Sequence, residues 1–217
     1  MFKHENIYFL DEEDKIKVVG CEILAKTDIP NSVLFAETNL ELEYYLYKKI
    51  ISKYNSMFNT NNGLFWTINL SPSTLIRYQN DKTLDNFDIE ELPKNIFIEL
   101  TEQGTYSKSD IEQIRTYSHR IILDDFGTGL SNIDKAISLR PYGIKIDTSI
   151  LNCSFSYIKS LVEELKSCTS VLIGEKVENI EQYDAMRALS IDYFQGFFIT
   201  NKFVSKYHKK EQMSSIY

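Results

Sequence analysis

Cysteine and histidine are scarce in this chain, and basic residues are outnumbered by acidic ones. Its three cysteines, Cys21, Cys153 and Cys168, lie far apart with no C-x-x-C pair. An odd number of scattered thiols in 217 residues reads as reduced cysteine, not a disulfide framework, and predicts a cytoplasmic protein. With no cysteine pair and only three histidines, a zinc site is not expected. The 24 basic residues against 31 acidic ones leave a net charge of -7. That excludes broad DNA binding, which requires a basic face. An anionic ligand would have to be met locally, by metal ions or a few placed side chains. No run approaches the roughly 18 apolar residues of a membrane span, and the N-terminus, MFKHENIYFLDEEDK, lacks the apolar core of a signal peptide. No low-complexity linker divides the chain. One domain is expected over residues 1–217, with its core at about 6–203; the tail, 204–217, is a short basic helix or a frayed end.

What is present is a regular alternation of short apolar runs and helical patterns. Eight runs read as strands: Asn6–Leu10, Val18–Ala25, Leu64–Leu70, Ile96–Leu100, Arg120–Leu123, Gly143–Ile146, Ser170–Ile173 and Asp192–Phe194. The first two flank the polar turn DEEDK and predict an antiparallel pair. Between later strands, Leu42, Leu46, Ile50, Tyr54 and Phe58 form a stripe behind Asn39 as N-cap. Ser109 with Glu112 reads as a capping box. Ile133, Ala136 and Ile137 mark a third helix, stopped before Pro141. Ile158, Leu161, Val162 and Leu165 mark a fourth. Asn179 with Gln182 caps a fifth, carrying Tyr183 and Met186. Strands alternating with helices imply a mostly parallel sheet covered by helices. The fold class is therefore α/β, with a (β/α)8 TIM-like barrel whose first strand is antiparallel as the expected architecture. An open doubly wound sheet is the structural alternative.

The strand ends carry the chemistry. Glu22, Asn69, Glu99, Asp124 with Asp125, Lys145 with Asp147, and Glu175 stand at or near the C-terminal ends of six successive strands; Gln195 follows the eighth. A barrel gathers those ends on one face. Two carboxylates about 4 Å apart repel by roughly 4 kcal/mol at an effective dielectric of about 20. A pocketful of them demands protonation or cations. Oxygen donors of this kind suit hard divalent ions, Mg2+ or Mn2+. Asp124 and Asp125 fit as neighbouring ligands of a two-metal centre that activates water and stabilises phosphoryl charge.

The same residues resemble a known family. CEILAK, INLSP, IELTE, LDDFGTGLSN, IKID, GEKVE and FQGFF follow the order of the E-A-L-L-R, N-L-S, E-x-T-E, D-D-F-G-x-G-x-S-S, K-I-D, E-G-V-E and Q-G-Y elements of EAL-domain cyclic-di-GMP phosphodiesterases. The resemblance implies opening of cyclic-di-GMP to linear pGpG, with two divalent cations, Mg2+ or Mn2+. It implies Glu22, Asn69, Glu99 and Asp124 on one ion, and Asp125 on the second with Asp147 assisting. Lys145 would position or activate the attacking water, and Glu175 would join the metal and water network. Leu24, Lys26, Phe126 and Gln195 would contact substrate. Glu102 would anchor the loop Phe126–Ser131, with Glu178 in a similar supporting part; for both, a structural hydrogen bond is an equal reading. For Lys145 the plain alternative is a snorkelling lysine paired with Asp147. The resemblance also implies a homodimer.

The departures fall on ligand recognition. The place of the family's Y-Q-P holds Ile7 to Phe9, its Arg is Lys26, and a glycine is replaced by Lys176. The segment TDIPNSVLFAETNLELE is shorter than the loop and helix that usually wall the pocket. Losing a two-pronged Arg on phosphate costs about 1–3 kcal/mol. An alternative function is therefore a weak or inactive EAL-like protein that binds cyclic-di-GMP or a regulatory protein partner.

Overall fold

The polar turn after Leu10 reverses the chain, because the Asp11 carboxylate accepts hydrogen bonds from the backbone N–H of Glu13 (3.0 Å) and Lys15 (2.8 Å). Strands β1 (Phe2–Leu10) and β2 (Ile16–Ala25) pair antiparallel from Phe2↔Ala25 to Leu10↔Ile16. The computed structural model describes residues 2–11, 13, 15–26, 29–34, 39–60, 63–80, 89–101, 107–127 and 132–202. From β2 onward each strand pairs parallel with the next: β3 (Phe65–Leu70), β4 (Ile96–Leu100), β5 (Ile121–Phe126), β6 (Gly143–Asp147), β7 (Val171–Glu175) and β8 (Tyr193–Phe194). The sheet then closes, with Tyr8↔Phe194 and Phe9↔Tyr193 joining β1 to β8 antiparallel. That closure is the expected eight-stranded barrel and excludes the open sheet.

Helices cover the barrel: α1 (Asn31–Leu34), α2 (Leu40–Phe58), α3 (Pro72–Asn80), α4 (Lys108–Arg115), α5 (Asn132–Leu139), α6 (Phe155–Cys168) and α7 (Ile180–Ala188). The four apolar positions expected on α6, Ile158, Leu161, Val162 and Leu165, are all buried, each contributing roughly 1.5–3 kcal/mol. Asn179 caps α7 by accepting from the Gln182 N–H at 2.9 Å.

Four local expectations are corrected. The stripe of α2 runs through Glu43, Tyr47, Ile50, Tyr54 and Phe58, so Leu42 and Leu46 lie at its edge and a carboxylate opens it at the N-terminal end. Asn39 makes no side-chain cap and instead donates to the Val33 carbonyl at 2.6 Å. The capping box of α4 is Ser107 with Asp110, two residues before the equally spaced Ser109 and Glu112. Arg120 precedes β5 instead of opening it; its buried guanidinium donates to the carbonyls of Ile89, Leu92 and Pro93, replacing the water those groups lost. The tail, 204–217, lies outside the described residues. No described helix is long and apolar enough to cross a membrane.

Candidate metal centre

The barrel interior is built in layers. Side chains alternate along a strand, so inward-facing residues are two apart. Gly20, Phe65, Phe97, Ile122 and Gly143 form a floor: Phe65 meets Phe97 edge to face at 5.8 Å, and Phe97 stacks on Tyr142 at 4.4 Å. Gly20 leaves the space that the Phe65 ring takes. Two residues further along each strand come Glu22, Thr67, Glu99, Asp124 and Lys145. An aromatic floor thus seals one end and a polar layer sits directly on it.

Lys145 is the hub of that layer. Its Nζ lies 3.1 Å from Glu22, 3.0 Å from Glu99, 3.0 Å from Asp124 and 3.3 Å from Glu175. The alternative pairing of Lys145 with Asp147 is not what forms. Glu22 is further held by Asn69 Nδ2 at 2.7 Å and Gln195 Nε2 at 2.7 Å. Burial opposes the Lys145 charge, but Asp124, Glu22, Glu99 and Glu175 outweigh it and hold the ammonium well above the usual lysine range. Burial and the neighbouring Glu22 anion push Glu99 far up. Glu22 moves the other way: burial opposes its anion, but Lys145, Gln195 and Asn69 hold it below the usual range. Burial also raises Asp124, and takes Glu175 to about 8.

The paired aspartates share the site because β5 is irregular. Leu123 pairs with Ile144 but Phe126 with Ile146, so three steps on β5 match two on β6, and one extra residue is accommodated as in a bulge. Asp125 takes φ +53°, a left-handed conformation that aspartate tolerates. Carboxylate oxygens of Asp124, Asp125 and Glu175 all fall within 4.8 Å of one another. The extra residue also turns Phe126 to the outer layer, where it is buried in the hydrophobic core and does not line the cavity. Phe126, expected at the substrate, thus stands outside the cavity lining.

Above the acids opens a cavity of about 830 Å³, walled by Tyr8, Leu24, Tyr47, Gln195 and Phe197 among others. Leu24 and Gln195, expected at the substrate, both line this cavity. Lys26 does not: the chain leaves β2 at Ala25, and Lys26 is exposed and outside the lining. Glu178 lies on the wall, and its backbone N–H is taken by Gln182 at 2.7 Å. Glu102 and residues 128–131 of its expected loop lie outside the described residues.

Asp147 stands apart from the Lys145 hub. Its Oδ1 accepts from the Ser149 N–H at 2.7 Å and its Oδ2 from Lys176 Nζ at 2.6 Å. Lys176 also binds Asp125 and lies 3.8 Å from Glu175. In the sequence Lys176 reads only as a lost glycine. Glu5, which carries no such signal in the sequence, lies opposite Glu22 in the hairpin and accepts from Gln195 at 3.2 Å. Glu43 also lines the cavity, and its carboxylate among the apolar positions of α2 is a signal legible in the sequence.

The residues fit hard cations. Among the described residues Glu99 Oε1 and Glu175 Oε1 are buried without an aligned hydrogen-bond donor, which leaves oxygen lone pairs facing a shared space, while Asp124 Oδ1 is held by Lys145 at 3.0 Å.

A family model described as the EAL domain matches residues 22–202. The chain belongs to the EAL domain family.

Among curated relatives, this EAL domain is 28% identical over 188 residues to the cyclic di-GMP phosphodiesterase PdeA of Borreliella burgdorferi, covering 78% of this chain and 28% of that protein. The chain thus spans under a third of that relative's length. In solved structures the fold is similar to an EAL domain protein from Listeria monocytogenes (TM-score 0.65, 20% identity, 96% of this chain and 92% of that one). It is also similar to the manganese and cyclic-di-GMP complex of Klebsiella pneumoniae BlrP1 (TM-score 0.69, 19% identity, 90% of this chain and 54% of that one). At those identities the structural likeness speaks for the fold.

Proposed function

We propose that this EAL domain is a metal-dependent phosphodiesterase that hydrolyses cyclic-di-GMP to linear pGpG. The observation that carries this reading is the convergence of Glu22, Glu99, Asp124 and Glu175 on Lys145 at the base of an open cavity of about 830 Å³. Glu22, Asn69, Glu99 and Asp124 would hold one divalent cation, Mg2+ or Mn2+; Asp125, with Asp147 and Glu175, would hold a second. Such ions would lower the pKa of bound water and offset negative charge on the phosphoryl and leaving oxygens.

The chain's own residues do the rest. Lys145 ties carboxylates from four strands into one geometry around the place of the attacking water. Glu175 Oε1, with no aligned donor of its own, is placed to take that water's proton. The water oxygen bonds to one phosphorus, the P–O3′ bond breaks, and the 3′ oxygen leaves as a hydroxyl after taking a proton from solvent in the open cavity. The aromatic floor excludes solvent from below, which strengthens each of these electrostatic contacts.

A second reading, binding of cyclic-di-GMP or a regulatory partner without turnover, is favoured by Lys176 holding Asp125 and Asp147 and by Lys26 standing outside the cavity. Incubation with cyclic-di-GMP and Mn2+, followed by chromatography for pGpG, separates the two. Metal-dependent pGpG formation is expected. Binding without any product would leave the second reading standing and overturn the first.

A further inference from the structure

Lys176 is an unusual residue to find in its place. Its backbone φ is +55°, in the left-handed region where a side chain costs more than glycine. The backbone is nevertheless fixed there: the Thr148 hydroxyl donates to the Lys176 carbonyl at 3.3 Å, and the next N–H, of Val177, donates to the Gln195 carbonyl at 3.2 Å. From this position Nζ reaches back over the strand ends to Asp125 and Asp147, with Glu175 3.8 Å away. These carboxylates come from three strand ends, β5, β6 and β7. A single ammonium therefore sits among the oxygens that a cation on the Asp125 side of the centre would use. The other side is differently furnished. There the buried Lys145 contacts Glu22 Oε2, Glu99 Oε2 and Asp124 Oδ1, and Glu99 Oε1 is left without an aligned donor among the described residues.

We propose that Lys176 is a tethered competitor for the second metal ion. In the resting protein its ammonium holds Asp125 and Asp147. One divalent ion binds readily at Glu22, Asn69, Glu99 and Asp124, and another enters only as Lys176 swings away. The side chain is half exposed, so it can leave towards solvent without disturbing the core. Its departure breaks its ion pairs with Asp125 and Asp147 together, which makes loading of the second position a distinct step. Lys176 is thus a positioning residue, acting through the two aspartates and not on the substrate.

This inference rests on the proposed metal-dependent reading, and its test separates the two. Mn2+ would be titrated into the whole chain, with free ion followed by electron paramagnetic resonance and binding heats by calorimetry, and no nucleotide present. Wild type should show one tight and one much weaker ion. In Lys176→Gly, where the backbone conformation suits glycine, both ions should bind in a similar concentration range, and a spin-coupled manganese signal should appear. Lys176→Arg, which retains the cation, should behave as wild type. Two ions filling together in wild type, or two unequal sites unchanged in Lys176→Gly, would overturn the competitor while leaving a metal-dependent enzyme standing. No ion bound by either protein would remove both ideas.

Discussion

Gln195 donates from Nε2 to Glu22 Oε2 at 2.7 Å across 173 residues of sequence, so the closing strand of the barrel is fastened directly to the first acid of the site. The same amide reaches Glu5 at 3.2 Å, on the antiparallel β1. The site therefore exists only when the barrel is closed, and four predictions follow from how its members are held.

Glu22 accepts from Asn69, Gln195 and Lys145 at once. Glu22→Ala removes a proposed ion ligand and the acceptor that orients three neighbours. Turnover to pGpG should fall by more than the roughly 10–100-fold that loss of an outer hydrogen-bond partner gives. Circular dichroism should be unchanged, since the apolar floor is untouched. Retained turnover would count against the metal centre.

Lys145 balances four buried or nearly buried carboxylates. Lys145→Met leaves them facing one another, and stripping one partner from a buried ion pair costs about 3–5 kcal/mol. The variant should melt well below wild type in chelator and recover most of the difference when Mn2+ is added, since a ligand at about 100 times its Kd stabilises by about 2.7 kcal/mol. Thermal melts with and without Mn2+ decide it. Equal loss in both conditions would show that Lys145 acts by packing alone.

Glu43 is buried beneath α2, where Ser71 and Thr74 offer hydroxyl groups at 2.6–2.7 Å. Burial holds its carboxyl above the usual value of 4.5, although those donors oppose the shift. A carboxyl raised in the folded state contributes its stability below the unfolded pKa and loses it as pH rises through the folded one. Glu43→Gln mimics the protonated acid, so it should gain on wild type as pH rises from about 4 to 8. Urea midpoints across that range measure it; a constant difference would refute the assignment.

Gly196 follows Gln195 with φ +142°, and a Cβ there would stand 2.5 Å from the Val177 backbone. Gly196→Ala must move one of two backbones, at a cost of about 1–3 kcal/mol. Because Gln195 and Phe197 move with it, the Michaelis constant for cyclic-di-GMP should rise together with the loss of urea stability. A shift in stability alone would place Gly196 outside the substrate cavity's control.

Much of this protein is fixed locally and can be read without coordinates. Strands β4 and β6 and the faces of α6 and α7 follow from apolar period and capping chemistry, which depend on residues a few positions apart. The donors at the strand ends are legible for a similar reason: parallel strands share one direction, so Glu22, Asn69, Glu99, Asp124 and Glu175 inherit a common rim. What the tertiary structure alone decided is who meets whom across that rim. Lys145 becomes a hub because opposite walls of a closed barrel face each other. Phe126 turns away because one extra residue in β5 reverses its side. Lys176 reaches Asp125, 51 residues away, because β5, β6 and β7 end side by side. Such partners are set by closure, register and bulge, and no spacing within a single segment encodes them.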